Sequence, residues 1–117
     1  MAKYLTAYQA RDAAGCAAIY APETAVFSPF GPPIEGRDSI AEAHEGWFAL
    51  GEENKRIEVI DCAASGNVGY CLLTSSADIP GDDGTVQPDS GTNLCAMVRR
   101  SGVWQILHSS INESLPR

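Results

Sequence analysis

The chain has 117 residues and a net charge of −7, with 44% hydrophobic and 20% charged residues. These values are typical of one globular domain, and we interpret residues 1–117 as a single domain. The acidic balance argues against a nucleic-acid-binding surface, which is usually basic. The chain has no apolar run of about 18 residues, which argues against a membrane-spanning helix, and its first residues lack the apolar segment of a signal peptide.

The four cysteines, Cys16, Cys62, Cys71 and Cys95, form no CxxC pair and lie among largely apolar neighbours. We interpret all four as buried thiols of a protein in a reducing compartment, and therefore expect a cytoplasmic protein. A zinc site needs clustered ligands at familiar spacings, and the sequence shows none. We accordingly predict neither a metal nor a cofactor.

Two short helices are predicted at the start of the chain. The first runs from Ala2 to Arg11, and its Tyr4 and Tyr8 are four residues apart, so they share one face. Asp12 is a good N-cap for the second, from Ala13 to Tyr20, which has an apolar face.

The next segment, from Tyr20 to Gly36, contains four prolines. Pro22 ends the second helix, because its ring cannot continue it. An apolar run at Ala25–Phe27 predicts a short strand, and the glycine and prolines at 31–33 predict a bent loop. Three residues of this segment are expected at the rim of a pocket: Phe27, Ser28 and Phe30.

A third helix is predicted from Arg37 to Leu50. It begins either at Gly36 or at a capping box formed by Ser39 and Glu42. Its apolar face has the i, i+3, i+4, i+7 spacing of a helix that packs on a core. That face comprises Ile40, Ala43, His44 and Trp47. We therefore predict that His44 points into the interior.

The remaining chain is typical of strands, at about 56–64, 68–79, 92–100 and 103–113. Ser65-Gly66-Asn67 predicts a tight hairpin turn, and 80–91 a polar loop. Asp82-Asp83-Gly84 in that loop lacks the ligand spacing of a calcium site, so we interpret it as a solvated turn. Helices followed by antiparallel strands indicate an α+β fold.

Four motifs in this order resemble the nuclear transport factor 2-like superfamily, and within it the SnoaL-like and ketosteroid-isomerase-like branch. They are Tyr4-Leu-Thr-Ala-Tyr-Gln-Ala-Arg-Asp12, Ile19-Tyr-Ala-Pro-Glu-Thr-Ala-Val-Phe27, Gly31…Gly36-Arg-Asp-Ser-Ile40 and Gly102-Val-Trp-Gln-Ile-Leu-His-Ser109. The resemblance implies a curved antiparallel sheet wrapped into a cone, with three N-terminal helices closing an apolar pocket. It also implies a homodimer, commonly formed through the outer face of the sheet.

The steroid isomerases of this family use a tyrosine of the first helix to hydrogen-bond a substrate oxyanion, and Tyr4 falls at its position. Tyr20 and His44 fall where neighbouring groups support that tyrosine in some members. A phenol in an apolar site is an effective donor to developing negative charge. Tyr4 is thus a candidate hydrogen-bond donor to an oxyanion, and His44 is a candidate base. The alternatives are that Tyr4 is an ordinary packed tyrosine and that His44 is an interior histidine whose hydrogen bonds are made within the protein.

This sequence also departs from the isomerase pattern. Ser28, before Pro29, stands where the resemblance places the catalytic aspartate, and a serine hydroxyl is too weak a base for a carbon acid. The second acid falls near Cys95, with Asn93 two residues away on the same face. Other branches of the family use an Asp–His pair with the aspartate in the first helix. Gln9 is the nearest match to that aspartate here, so the pair is absent. We therefore predict no ketosteroid isomerase activity.

Two interpretations of Ser28 remain open. Ser28 is either a turn former or a nucleophile that His44 would have to activate, and no nucleophile-elbow sequence surrounds it. By the family's register, Trp104, Ile106 and His108 face outside the cone, and Leu107, Ser109 and Ile111 face inside.

The predicted ligand contacts are Tyr20, Phe27, Ser28, Phe30, Trp47, Asn93, Cys95 and Ser109.

Three functions are compatible with this interpretation. The first is an enzyme of the isomerase, hydratase or cyclase type that moves a proton on a small lipophilic compound. The second is a non-catalytic module that binds a hydrophobic ligand, and the third is a structural dimer. A cavity of roughly 300 Å³ or more would separate the first two from the third.

Overall fold

The computed structural model describes residues 2–29, 31–51, 53–80 and 86–113. Within these ranges the chain forms three helices and one curved six-stranded sheet, which confirms the predicted α+β fold. The elements in chain order are α1 (Ala2–Gln9), α2 (Ala13–Ala17), β1 (Tyr20–Ser28), β2 (Gly31–Glu35), α3 (Arg37–Ala49), β3 (Glu53–Ser65), β4 (Val68–Pro80), β5 (Val86–Arg100) and β6 (Val103–Glu113). The strand order in the sheet is β2-β1-β6-β5-β4-β3.

The second helix begins as predicted but ends earlier. The Asp12 side chain accepts a hydrogen bond from the Gly15 amide at 3.0 Å, which caps the first turn. The predicted extension to Tyr20 is wrong, because the chain leaves the helix to join β6. The Ile106 amide donates to the Ile19 carbonyl at 2.9 Å, and Tyr20 is the first residue of β1.

The segment predicted as a bent loop is instead strand β2. It pairs with β1 in an antiparallel hairpin in which Val26 lies opposite Ile34. The loop was predicted because proline, present here as Pro32 and Pro33, is disfavoured in most strands. Both prolines are tolerated here because β2 is an edge strand and because its pairing with β1 is irregular between Val26 and Ser28.

The sheet is also not antiparallel throughout. Strand β1 runs parallel to β6, with Val26 opposite Ser109 and Phe27 opposite Ser110. The remaining neighbours pair antiparallel, and the predicted two-residue turn at Gly66-Asn67 joins β3 to β4 with Ser65 opposite Val68. The predicted strand at Ala25–Phe27 is confirmed as part of β1, and the β1–β2 hairpin precedes α3.

Strand β5 begins earlier than predicted. Residues 86–91 were expected in a polar loop, but they extend β5 and pair with β4, with Pro88 opposite Asp78. Polar composition concealed this strand, because a strand of an antiparallel sheet need not be apolar throughout. The predicted turn at Asp82-Asp83-Gly84 lies outside the described residues.

A bulge in β6 changes which of its side chains face inward. Ala96 lies opposite His108, but the next residue, Met97, lies opposite Ile106, so Leu107 has no partner across the strand pair. Ile106 is therefore buried, at 2% exposure, and its predicted outward orientation is wrong. His108 is exposed and Ser109 buried, as predicted.

The prediction for the cysteines is half right. Cys16 and Cys95 are buried free thiols, but Cys62 and Cys71 form a disulfide across the β3–β4 hairpin. The register places these two residues directly opposite each other, with 4.3 Å between their Cα atoms. Their pairing depends on a register that the spacing of cysteines in the sequence does not reveal.

The core lies between the helices and the concave face of the sheet. Its buried members fall into three clusters, around Tyr4 with Tyr8, around Val26 with Ile40, and around Leu73 with Ile106. None of the described helices has the length and apolar character needed to cross a membrane.

Candidate functional site

A hydrogen-bonded pair joins α1 to α3 in the interior. The Tyr4 hydroxyl lies 2.8 Å from Nε2 of His44, and both side chains are buried, with His44 only 1% exposed. Helical periodicity alone turns both residues inward, because each lies on the apolar face of its helix. The predicted inward orientation of His44 is thus confirmed.

The second nitrogen of His44 determines the direction of this hydrogen bond. Nδ1 lies 2.9 Å from the carbonyl oxygen of Ile40, one turn earlier in α3. A carbonyl only accepts, so Nδ1 carries a proton. In the neutral imidazole Nε2 is then an acceptor, and the Tyr4 hydroxyl donates to it. A phenol oxygen that donates its own proton is also a hydrogen-bond acceptor.

Aromatic rings surround the imidazole. Trp47 packs edge-on with its ring centroid 4.7 Å away, and the rings of Tyr8 and Phe48 lie at 6.3 Å and 6.2 Å. These contacts fix the ring plane of His44, so that its two nitrogens point at Ile40 and Tyr4. Trp47, a predicted ligand contact, packs against His44 and does not line the cavity.

Beside Tyr4 the concave face leaves a cavity of about 40 Å³. That volume holds two or three waters, at about 10–15 Å³ each. Five predicted site residues meet at this cavity. They are Tyr4, Tyr20, Asn93, Cys95 and Ser109.

The other predicted site residues lie elsewhere. His44 stands behind Tyr4 and does not line the cavity, so it reaches a bound molecule only through the Tyr4 hydroxyl. Phe27 is 46% exposed on the outer face of the sheet, with its ring 6.4 Å from that of His108, because the alternation of β1 turns Val26 inward. Ser28 ends β1 and does not line the cavity, and Phe30 lies outside the described residues.

Sequence reasoning missed several residues of the lining. Lys55 and Ile57 lie two apart on β3 and share its inner face, and Ser75 lies directly opposite Ile57 on β4. The period of two in β3 could have identified Lys55, because it lies two residues before the apolar Ile57 and therefore on the same face. The remaining unpredicted members are Ile19, Leu73 and Ile106.

Burial keeps the ionisable hydroxyl and thiol groups of this region neutral. It raises the pKa of the Tyr20 phenol well above its ordinary value. It also raises the pKa of Cys95, whose thiol donates to the Ser109 hydroxyl at 3.6 Å. The guanidinium of Arg37 holds Tyr20 in place by donating twice to its carbonyl oxygen, at 3.0 Å and 2.6 Å.

Lys55 supplies the charge of the cavity. Its Nζ lies 5.3 Å from the centroid of the Tyr8 ring, a cation–π geometry that directs the ammonium towards α1. Of the described residues that line the cavity, Lys55 alone is charged. No group of three or more potential metal ligands occurs in the part of the chain that the structure describes.

With the fold and the cavity established, comparison with known proteins gives the family. The family model of the SnoaL-like domain matches residues 1–100, and the chain belongs to this family. Its members often bind small molecules. A comparison with curated proteins gives no significant match.

Solved structures share the fold at low identity. A ketosteroid isomerase-like protein from Erwinia carotovora atroseptica superposes with a TM-score of 0.83 at 20% identity, covering 98% of this chain and 91% of that one. Aln2 from a Streptomyces species gives a TM-score of 0.76 at 15% identity, over 96% and 84% of the two chains. An NTF2-like protein with a cystatin-like fold from Novosphingobium aromaticivorans gives 0.74 at 15%, over 94% and 74%. At these identities the likeness concerns the fold.

Proposed function

We propose that the protein transfers a proton on a small molecule bound in the cone, using Tyr4 and His44 as a relay. The observation that carries this proposal is the hydrogen-bonded chain from the Ile40 carbonyl through His44 to the hydroxyl of Tyr4, a residue that lines the cavity. The family membership supports it, because SnoaL-like domains often bind small molecules.

The direction of the hydrogen bonds assigns the roles. A proton leaves an acidic C–H or O–H group of the substrate and bonds to the Tyr4 oxygen, while the Tyr4 proton passes to Nε2 of His44. The resulting imidazolium stays hydrogen-bonded to Ile40, and the substrate holds the electron pair. Return of the proton to another substrate atom completes an isomerisation. Tyr4 is the catalytic residue, and His44, which acts through it, takes the place of the missing carboxylate base.

Exchange of substrate protons with solvent tests this relay even when the product is not identified. Carbonyl compounds and carboxylic acids small enough for the cone are incubated in D₂O, and loss of the α-proton signal is followed by NMR. We expect exchange with the unmodified protein and a fall of about 10²-fold or more in Tyr4→Phe. Tyr70→Phe is the control, because Tyr70 is exposed and hydrogen-bonds Asp61. Exchange that is absent, or that survives in Tyr4→Phe, rules the relay out.

One observation favours a second candidate, a structural module without chemistry. The cavity of about 40 Å³ is well below the roughly 300 Å³ of ordinary ligand pockets. In that case the Tyr4–His44 pair only satisfies buried polar groups. The exchange experiment separates the two candidates.

We also propose that the protein forms a homodimer through the outer face of the sheet. Direct pairing places Leu72, Leu94 and Ser110 in one row that ends at Phe27 of β1. Leu94 and Phe27 are 51% and 46% exposed, and Tyr70 beside them is 41% exposed. Large exposed apolar side chains gathered on one face are typical of an interface. In a symmetric dimer the second copy of the chain contributes the same patch, so the two patches pack against each other.

A further inference from the structure

We propose that the molecule bound in this cavity is a small organic acid, and that Lys55 binds its carboxylate. This inference rests on the proposed function only in placing the ligand in the cavity beside Tyr4. It refines the expected ligand from a purely lipophilic compound to one with an acidic group and a short apolar body.

The charge of the lining is the first observation. The chain carries 15 acidic and 8 basic residues, yet the described lining contains one lysine and no carboxylate. An anionic ligand there meets the positive charge of Lys55, and no residue of the described lining contributes a negative charge. A charge-assisted hydrogen bond to an ammonium is stronger than one between neutral groups, so the site discriminates acids from neutral analogues.

Neutral hydrogen-bonding groups of the lining complement the lysine. Ser75 and Tyr20 bring hydroxyl groups, and Asn93 brings an amide. The Asn93 Oδ1 atom is buried without a hydrogen-bond partner, which is costly unless a bound molecule or water satisfies it. Rotation of the amide by 180° exchanges its oxygen and its N–H donors, so that Asn93 can serve either a protonated or an ionised acid.

The shape of the site defines the rest of the ligand. The lining also contains four aliphatic side chains, which lie among the polar ones: Ile19, Ile57, Leu73 and Ile106. The volume of about 40 Å³ accommodates a carboxylate in place of two or three waters. A short alkyl or 2-oxo chain is the body that suits these aliphatic side chains.

A lysine at this place also serves the proton transfer. Removal of a proton from the carbon next to a carboxylate leaves the electron pair delocalised over the carbonyl oxygens. That charge develops beside an ammonium in a partly desolvated site, where the attraction is stronger than in water. The C–H bond breaks, an O–H bond forms at Tyr4, and the Tyr4 proton moves to His44, so the step needs no further reactant.

Binding of matched acids and amides tests the inference. The probes are acetate, propionate, butyrate and pyruvate, each compared with its amide, by chemical-shift titration and thermal shift at neutral pH. We expect the acids to bind and raise the melting temperature, following mass action, and the amides to bind about tenfold more weakly or worse. Equal binding of acids and amides, or no binding of either, overturns the proposal.

The chain offers a matched control for the lysine. Lys55→Met and Arg56→Gln each remove one positive charge from adjacent residues of β3, but Arg56 points to the opposite face, where it contacts Ser76 and Asp78. We expect Lys55→Met to weaken acid binding about tenfold or more and Arg56→Gln to leave it unchanged. Acid binding that survives Lys55→Met, or that falls equally in both variants, overturns the assignment.

Tyr4→Phe separates this inference from the proposed function. Loss of α-proton exchange with retained Lys55-dependent acid binding supports both. Lys55-dependent binding without exchange in the unmodified protein leaves the acid site standing and removes the relay. Exchange that depends on Tyr4 but occurs equally well with neutral substrates keeps the relay and overturns the acid site.

Discussion

The Tyr4 hydroxyl donates a hydrogen bond to Nε2 of the buried His44, so that hydroxyl contributes to stability as well as to the proposed chemistry. Tyr4→Phe leaves Nε2 buried without its donor, and we expect it to lower the free energy of unfolding by about 1–2 kcal/mol. Urea denaturation measures this loss. Tyr70→Phe removes an exposed hydroxyl and should cost less than about 0.5 kcal/mol. Equal losses in the two variants would contradict the importance assigned to the buried pair.

Cys16 makes the stability sensitive to alkaline pH. Burial first, and then the nearby Asp12 carboxylate, raise the pKa of this thiol from 9.0 to about 11. The folded state therefore favours the neutral thiol, and its contribution is complete below about pH 9 and lost as the pH rises to about 11. We expect urea midpoints to fall across that window, and to fall less steeply in Cys16→Ala. Identical slopes for the two proteins would contradict this.

Residue-level prediction succeeded where one helical period decided the outcome. The inward orientation of His44 follows from its spacing to Ile40 and Trp47 on one helix. The tautomer of His44 does not follow from the sequence, because it depends on the side-chain rotamer that brings Nδ1 to the Ile40 carbonyl. Lys55 was missed because a lysine in a strand is usually solvated, and here the ring of Tyr8 holds it over the cavity.

The β3–β4 hairpin carries a cross-link that strengthens one element. In the loop-entropy account a disulfide closing about ten residues contributes up to about 2–3 kcal/mol, and less where a tight turn already joins the strands. We expect a reductant to lower the melting temperature of the unmodified protein. The double variant Cys62→Ser/Cys71→Ser should melt at the reduced protein's temperature and show no response to the reductant. A melting temperature that does not change on reduction would show that the bond contributes nothing.

Strand boundaries and faces were predictable only where alternation continues without interruption. Gly66-Asn67 identifies its hairpin because two residues in a primed turn fix the register of both strands. No residue type in β6 signals the bulge at Leu107. A strict period of two therefore assigned Ile106 to the wrong face. Residues 86–91 were missed for a related reason, since pairing with β4 makes them a strand despite their polar composition.

The outer face of the sheet determines the proposed assembly of the whole molecule. A glutamate at Leu94 places two like charges close together in a symmetric interface, and we expect Leu94→Glu to be monomeric in analytical ultracentrifugation. Leu50→Glu is the control, because Leu50 is 65% exposed at the end of α3, away from the sheet. An unmodified protein that is monomeric, or a Leu94→Glu protein that still dimerises, would contradict the proposed interface.

The α+β class was predictable because three helical patterns and a series of strand patterns occur in order. The parallel contact between β1 and β6 was not, because local patterns do not encode which distant strands become neighbours. The cavity was expected, but its small volume depends on how far α1 packs down onto β3, which involves many side chains at once.

The pairing of β1 with β6 has a consequence for biosynthesis. A ribosome releases β1 early, yet the strand that completes its hydrogen bonding emerges some eighty residues later, since Val26 pairs with Ser109. Until then the nascent chain exposes one unpaired edge of β1 and an uncovered apolar helix face, both of which chaperones bind. Slowing elongation near the end of the message should therefore prolong this vulnerable interval, whereas slowing it at the β3–β4 turn, where partners are adjacent, should matter far less.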